Sequence, residues 1–398
     1  MDRTVYLDYA ATTPTDQRVV DAMLPYFTEG YGNANSLYAL GRDAARALED
    51  ARERVAVSIG ARPEEIIFTS GGTESDNTAL IGLATAGGRT KGHIIVSEFE
   101  HHAVLEPAWW LGKHGFDVTE LKPRTDGIVH SEDLEAALRD DTVLVSVMHG
   151  NNEIGTVQPI AELAAAAHAR GALFHTDAAQ TLGKIDFNVA ELGIDAASFS
   201  GHKIYGAKGT GALYLKKGVR IAPYLMGGGQ ENKRRSGTQN VAGNVGFATA
   251  LTLMDAERAT EIPRLTALRD RLVERLLGTI EYAQLNAATA ATRLPHIANF
   301  VIPGVEGEAM LLHLDAAGIA VSTGSACSSG SLKPSHVLLA IGCPVEFAHG
   351  SLRVSLGRFT TEADVDFLVE KLVPVVERLR SMNPLYERTV AGLAGHAE

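Results

Sequence analysis

The chain has 398 residues, 45% of them hydrophobic and 21% charged, and a formal net charge of −12. That length accommodates two domains with a core each, and the acidic balance excludes a general nucleic-acid binder, which would present a basic face. Its two cysteines, Cys327 and Cys343, are too few for a disulfide framework and fit a reducing compartment; with no membrane-length apolar run and no signal pattern at Met1–Thr4, a cytoplasmic protein is expected.

In chain order, residues 4–8 read as a short strand, and residues 10–14 turn away from it. The polar loop Asn33-Ala34-Asn35-Ser36 offers Ser36 as an N-cap. Leu40, Ala44, Leu48, Ala51, Val55 and Ile59 then recur at three- and four-residue spacing, the stripe of a core-facing helix. Strand Ile66–Phe68 runs into Thr69-Ser70-Gly71-Gly72-Thr73-Glu74-Ser75 and a helix through Leu83. A strand, a glycine turn and a helix start present free N–H groups to a phosphate. Without a following Gly-Lys-Ser/Thr this is not a P-loop, and an ordinary helix capped by Ser70 or Thr73 is the alternative.

The alternation continues: strand 93–96, helix 104–114, strand 117–121, helix 133–139, strand 143–148, helix 161–170, and strands ending at Asp177, Phe199 and Leu215. Strands that are continuous apolar runs, separated by helices, predict a mostly parallel sheet covered on both faces. Ligands of such sheets bind beyond the strands' carboxyl ends. Gly72-Thr73, His101, Asn152, Asp177 and Ser200-Gly201-His202-Lys203 all fall there. Lysines after strands are usually solvated surface groups. An aspartate at one strand end and a lysine one strand later are, however, the pair a pyridoxal phosphate (PLP) enzyme needs: the amine joins the cofactor, and the carboxylate holds the pyridinium proton.

The glycine-rich stretch 227–238 predicts a long functional loop. Helices at 244–254 and 262–277 lead into an α+β region with strands at 297–302, 319–322 and 352–356 and helices at 308–316 and 362–378. Between them lies Ser322–Ser331, a run of small residues around Cys327. Such residues cannot bury the thiol, which marks it as accessible and reactive rather than structural; an incidental loop thiol is the alternative. Cys343, beside Pro344 in an apolar context, reads as structural. Arg353 offers a guanidinium fork to a carboxylate, or a surface ion pair. The Ala/Gly-rich tail from about Val390 is expected to be disordered.

With these residues assembled, the chain resembles the cysteine desulfurases, specifically the NifS/IscS group of the class V aminotransferase-like, fold-type I PLP enzymes. The resemblance covers nearly the whole chain, from Tyr6 to about Arg378. It rests on Tyr-Leu-Asp-Tyr-Ala-Ala-Thr-Thr-Pro at 6–14, Thr-Ser-Gly-Gly-Thr-Glu-Ser-Asp-Asn at 69–77, Glu-His at 100–101, and Asn-Asn-Glu-Ile-Gly at 151–155. Ser-Gly-His-Lys at 200–203, Arg-Ser-Gly-Thr at 235–238, Gly-Ser-Ala-Cys at 324–327 and Ser-Leu-Gly-Arg-Phe at 355–359 complete it.

The resemblance implies an α/β fold of type I: a large PLP-binding domain (15–257) with a mostly parallel seven-stranded sheet flanked by helices, and a smaller α+β domain (1–14 and 258–398) carrying the cysteine loop (about 322–332). It implies that Lys203 forms the Schiff base, Asp177 pairs with the pyridine nitrogen, Gln180 contacts the ring hydroxyl, and His101 stacks on the ring and shuttles protons. Gly72, Thr73, Ser200 and His202 hold the phosphate, and Thr238 reaches that of a second subunit in a homodimer. By the same resemblance Asn152 lies against the cofactor and substrate side, and Arg353 takes the substrate carboxylate.

The resemblance further implies that Cys327 takes the sulfur of L-cysteine as a persulfide, releasing L-alanine. The sulfur passes to an iron–sulfur scaffold or a tRNA-thiolation protein, where Cys327 would transiently ligate a cluster. No resident metal, direct nucleic-acid contact or membrane contact is implied. Other readings on this fold are a selenocysteine lyase, another class V aminotransferase-type reaction, or a non-catalytic scaffold. Two positions depart from the family: Ala34 stands where a proline is common, leaving that turn less rigid, and Gly150 where a bulkier residue is.

Overall fold

The structure, a computed structural model, describes residues 4–323, 334–384 and 386. Cys327 and the tail from Val390 lie outside them. The chain opens with β1 (Val5–Tyr6), the short helices α1 (Gln17–Met23) and α2 (Pro25–Thr28), and the long α3 (Ala39–Ser58). There follow β2 (Ile66–Thr69), α4 (Gly72–Ala84), β3 (Gly92–Ser97), α5 (His102–Gly112), β4 (Phe116–Leu121), α6 (Ser131–Ala137) and β5 (Thr142–Ser146). Then come α7 (Ile160–Ala169), β6 (Leu173–Asp177), α8 (Val189–Leu192), β7 (Ala196–Ser200) and β8 (Gly211–Leu215).

Strands β2 to β8 form one seven-stranded sheet in the order β2-β8-β7-β6-β5-β3-β4. All neighbours are parallel except the two pairings of β8. Two successive antiparallel pairings return β2 to the common direction, so its carboxyl end opens on the same edge as those of β3, β5, β6 and β7. Alternate strand residues feed opposite faces. Phe68, Ile95, Val145 and Phe174 pack in one core beneath α3, α7 and α9, the helix that follows the sheet (Val241–Thr279); Ile67, Ile94, Leu144 and Leu213 pack in another beneath α4 and α5. Burial on both faces is why these strands read as unbroken apolar runs.

After α9 come β9 (Gln284–Leu285), β10 (Ile297–Val301), α10 (Gly307–Ala316), β11 (Ile319–Ala320), α11 (His336–Ala340), α12 (Val345–Ala348), β12 (Ser351–Ser355) and α13 (Glu362–Met382). A third core gathers Val5 and Leu7 with Leu268, Leu272 and Leu276 of α9, Phe300, Met310, Leu352 and Leu368. Val337, Leu338 and Ala340 of α11 instead join the first core.

Two expectations need correction. Helix α3 starts at Ala39 with Tyr38 as its N-cap, not at Ser36. The Asn33 side chain accepts from the Asn35 N–H (3.0 Å) and its carbonyl from that of Ser36 (2.9 Å), so an Asx turn occupies these residues. That turn forms without the proline, despite Ala34. The helices read at 244–254 and 262–277 are one 39-residue helix running through Pro263. Its Phe247 and Leu251 pack in the first core and Leu265, Leu268, Leu272 and Leu276 in the third. The partly exposed span between them carries no stripe, which is why the sequence reads as interrupted there.

Candidate active site

A cleft of about 650 Å³ opens at the carboxyl edge of the sheet, lined by Gly72, Thr73, His101, Asn152, Asp177, Gln180, Ser200, His202, Lys203 and Arg353 among others. Ten of the residues singled out from sequence therefore meet at one place. Thr238 does not join them; it is exposed on the loop that follows Arg235. Cys327 lies outside the described residues.

At one wall, β2 leads through Ser70 to Gly71, whose φ of +150° favours glycine, and α4 starts at Gly72 with no side-chain cap. Neither Ser70 nor Thr73 closes this helix end, so its first N–H groups point at the cleft. A side chain at Gly211 of β8 would strike Gly71 Cα at 2.6 Å, which pins the turn against the sheet. Ser200 faces Gly72 across the cleft: a side chain at Gly72 would meet Ser200 Cβ at 3.5 Å.

On the floor, Asp177 at the end of β6 is buried, and Ala179 N–H donates to its Oδ1 (2.8 Å). Burial raises its pKa, with the nearby Lys203 amine pulling the other way. Lys203 Nζ donates to the carbonyls of Ala10 (2.5 Å) and Ala11 (2.8 Å), and Gln180 Nε2 donates to the same Ala10 carbonyl (2.9 Å). The N-terminal 10–13 segment is fastened by Thr13 N–H and Oγ1, both donating to the His202 carbonyl at 2.9 Å.

His101 is the N-cap of α5, where its Nδ1 accepts the Ala103 N–H (3.1 Å). That bond places the ring proton on Nε2. Burial, then the Lys203 charge, lowers its pKa to about 4, so the ring is neutral at physiological pH. His202 is lowered to about 4 by burial and Lys203 in turn. Arg353 donates from Nη1 to the Asn152 carbonyl (3.0 Å) and from Nη2 to Asp8 Oδ1 (2.8 Å).

Three carboxyl groups beside the cleft carry roles the sequence reading did not assign. Asp76, on the inner face of α4, is buried with Oδ1 unbonded, and burial holds its pKa well above the usual carboxylate range. Glu100 accepts from Ser97 Oγ (2.5 Å) and Met148 N–H (2.6 Å), and burial raises it to about 8. Asp8 is the counter-ion of Arg353. The readable signal is an acid on a core stripe: Asp76 recurs with Ala79, Leu80 and Leu83. In the basic run Lys233-Arg234-Arg235, Arg235 grips Glu74 at the cleft mouth (2.7 and 3.2 Å) and Arg234 donates to the Glu64 carbonyl. Cys343 is half-buried, and burial raises its thiol to about 11, consistent with a structural residue.

An amine and a buried carboxylate on one floor, below an uncapped helix start, are the groups a PLP-dependent enzyme needs, here on a doubly covered α/β sheet. The chain belongs to the class-V aminotransferase family, whose model matches residues 5–368. It is 51% identical over 384 residues to a cysteine desulfurase IscS of Dictyoglomus turgidum, an alignment covering 96% of this chain and 97% of that protein. A solved NifS-like protein superposes with a TM-score of 0.88 at 38% identity, covering 94% of this chain and 99% of its own. A solved SspA in complex with cysteine superposes at 0.80 with 35% identity, covering 89% and 99%. The chain thus falls among the PLP-dependent cysteine desulfurases. Its residues fit the cofactor: Asp177 is a buried acid lacking a full counter-charge, which a pyridinium supplies. No helix among the described residues is long and apolar enough to cross a membrane.

Proposed function

We infer that this chain uses PLP to remove sulfur from L-cysteine, giving L-alanine and a persulfide on Cys327. The observation that carries this reading is the convergence of Lys203, Asp177, His101 and Arg353 on one cleft in a relative of cysteine desulfurases. Bound PLP supplies an electron sink for C–S cleavage. Lys203 is its covalent anchor, Asp177 holds the proton on the ring nitrogen, Gln180 donates to the ring hydroxyl, and His101 covers the ring and delivers a proton from Nε2. The α4 start with Gly72 and Thr73, together with Ser200 and His202, takes the phosphate. Asn152 lines the substrate side, and Arg353 takes the substrate carboxylate.

The Cys327 thiolate attacks the substrate sulfur, so an S–S bond forms as the C–S bond breaks; the electron pair left on carbon is protonated to give alanine. The persulfide sulfur then passes to an acceptor in iron–sulfur assembly or tRNA thiolation. We assign residues 15–257 to the PLP-binding domain, and 1–14 with 258–398 to the second, an assignment the separate core around Phe300 and Leu372 supports. Thr238, exposed beyond the Arg235–Glu74 pair, is assigned to the cleft of a second copy in a cytoplasmic homodimer.

The test is incubation of purified protein with PLP and L-cysteine, reading alanine and sulfide. Cys327→Ala is expected to keep the visible PLP absorbance and lose turnover; Lys203→Ala loses both. Undiminished alanine release by Cys327→Ala would overturn the reading.

A further inference from the structure

Lys184 is buried and has no carboxylate partner among the described residues. Its Nζ lies 3.4 Å from Gln180 Oε1 and 3.1 Å from His296 Nε2. Glu257 and Glu261 line the same small cavity, but Glu257 is engaged by Arg18 and Arg358, and Glu261 by Arg264. Burial and the neighbouring Lys203 lower Lys184 to about 7. Burial also lowers His296, with Lys184, Arg269, Arg353 and Lys203 adding to the effect, so its ring is neutral. A neutral ring that accepts at Nε2 carries its proton on Nδ1, and that atom is buried without a partner. A desolvated amine and an unsatisfied imidazole are both costly; a methionine would fill the space at lower cost unless the polar contacts serve a purpose.

The purpose is legible in the Gln180 amide. Its two ends must be told apart by their partners. The Ala10 carbonyl only accepts, so it selects Nε2; Lys184 donates, so it selects Oε1. The NH₂ group is thereby turned toward the carbonyl that Lys203 also uses. His296 carries the constraint further, because its carbonyl accepts the Leu356 N–H (2.8 Å), immediately after the strand holding Arg353.

We propose that Lys184 is a positioning residue: by donating to Gln180 Oε1 it fixes the Gln180 amide as a donor facing the cofactor floor, and through His296 it ties that amide to the strand of Arg353. The proposal rests on the PLP reading above, in which Gln180 donates to the ring hydroxyl. A fixed donor withdraws charge from that oxygen and lowers the basicity of the neighbouring cofactor-bound nitrogen. Losing it has the opposite effect.

The experiment is a pH titration of the visible absorbance of the PLP-loaded protein. In Lys184→Met the midpoint is expected to move up by about one pH unit, the scale of one hydrogen bond to a charged oxygen. Gln180→Leu is expected to move it the same way, and Lys184→Met added to Gln180→Leu to produce no further shift. Lys184→Met and Lys184→Leu should each keep the wild-type Tm or exceed it. A midpoint unchanged in folded Lys184→Met, or additive shifts in the double variant, overturns the proposal. A Tm loss in both single variants makes Lys184 a structural residue and overturns it too. Wild-type protein with no visible band would instead sink the PLP reading itself.

Discussion

Asp8 and Arg353 are 345 positions apart in the chain and meet in a 2.8 Å ion pair. They are neighbours because β1 runs parallel beside β11 while Asp8 bridges Ser355 at the end of β12. The pair is unequally buried: the side chain of Arg353 is 4% exposed and that of Asp8 18%. Removing Asp8 strands a desolvated guanidinium, so Asp8→Ala is expected to cost about 3 kcal/mol. Arg353→Met leaves a carboxylate that water reaches and costs less. Denaturant unfolding of the two variants separates these outcomes, and equal losses would show that burial does not govern the pair.

The same guanidinium is the proposed carboxylate clamp. Its Nη1 and Nη2 each make one protein bond, to the Asn152 carbonyl and to Asp8, which fixes the plane of the fork. A lysine keeps the charge but not that geometry. Arg353→Lys is expected to raise KM for L-cysteine by about tenfold, the scale of one charge-assisted hydrogen bond, while PLP absorbance stays at the wild-type level. Steady-state kinetics beside a spectrum check this; an unchanged KM assigns Arg353 to the Asp8 contact alone.

The contrast between these residues and those read from sequence is physical. Asp177, His101 and Lys203 were legible because each follows an apolar strand, and the ends of parallel strands share an edge. Arg353 was legible as chemistry but not as a neighbour of Asp8, because Asp8 reaches β12 only through its long-range bridge to Ser355. Asp76 and Lys184 were silent: each is a charged residue inside an apolar pattern, and patterning alone reads such residues as interruptions rather than as buried groups with one donor or acceptor to place. The 255–261 span read as a gap because it carries no apolar stripe, although two cores hold the helix on either side of it.

The 227–238 loop depends on a buried pair. Glu231 accepts both ends of the Arg52 fork (2.7 and 2.8 Å) and the Phe68 N–H (3.2 Å). It also sits in a run of left-handed residues, with φ of 45°, 56° and 63° at Glu231, Asn232 and Lys233. Three such conformers in non-glycine residues are costly, and the Arg52 contact is what holds them. Glu231→Gln is expected to destabilise the protein by about 3 kcal/mol and to expose Arg234 and Arg235 to limited trypsin digestion. A loop that stays as resistant as wild type would show that the strain is carried elsewhere.

Two of the buried groups, His149 and Glu100, make stability depend on pH with opposite signs. Burial lowers His149 from 6.5 to about 4. Between those values the unfolded chain takes up a proton that the folded chain refuses, so stability falls as pH drops from 6.5 to 4, by up to roughly 3 kcal/mol from this ring. Burial raises Glu100 from 4.5 to about 8. Between those values the unfolded chain releases a proton that the folded chain keeps, so this group costs stability as pH rises from 4.5 to 8. The two effects overlap in wild type, and the variants separate them. Relative to wild type, His149→Gln is expected to gain stability progressively below pH 6.5, and Glu100→Gln progressively above pH 4.5. Urea unfolding at a series of pH values measures both differences. Parallel curves for wild type and Glu100→Gln would mean that the carboxyl is already ionised in the fold, with its Oε2 bonded to a group that neutralises it.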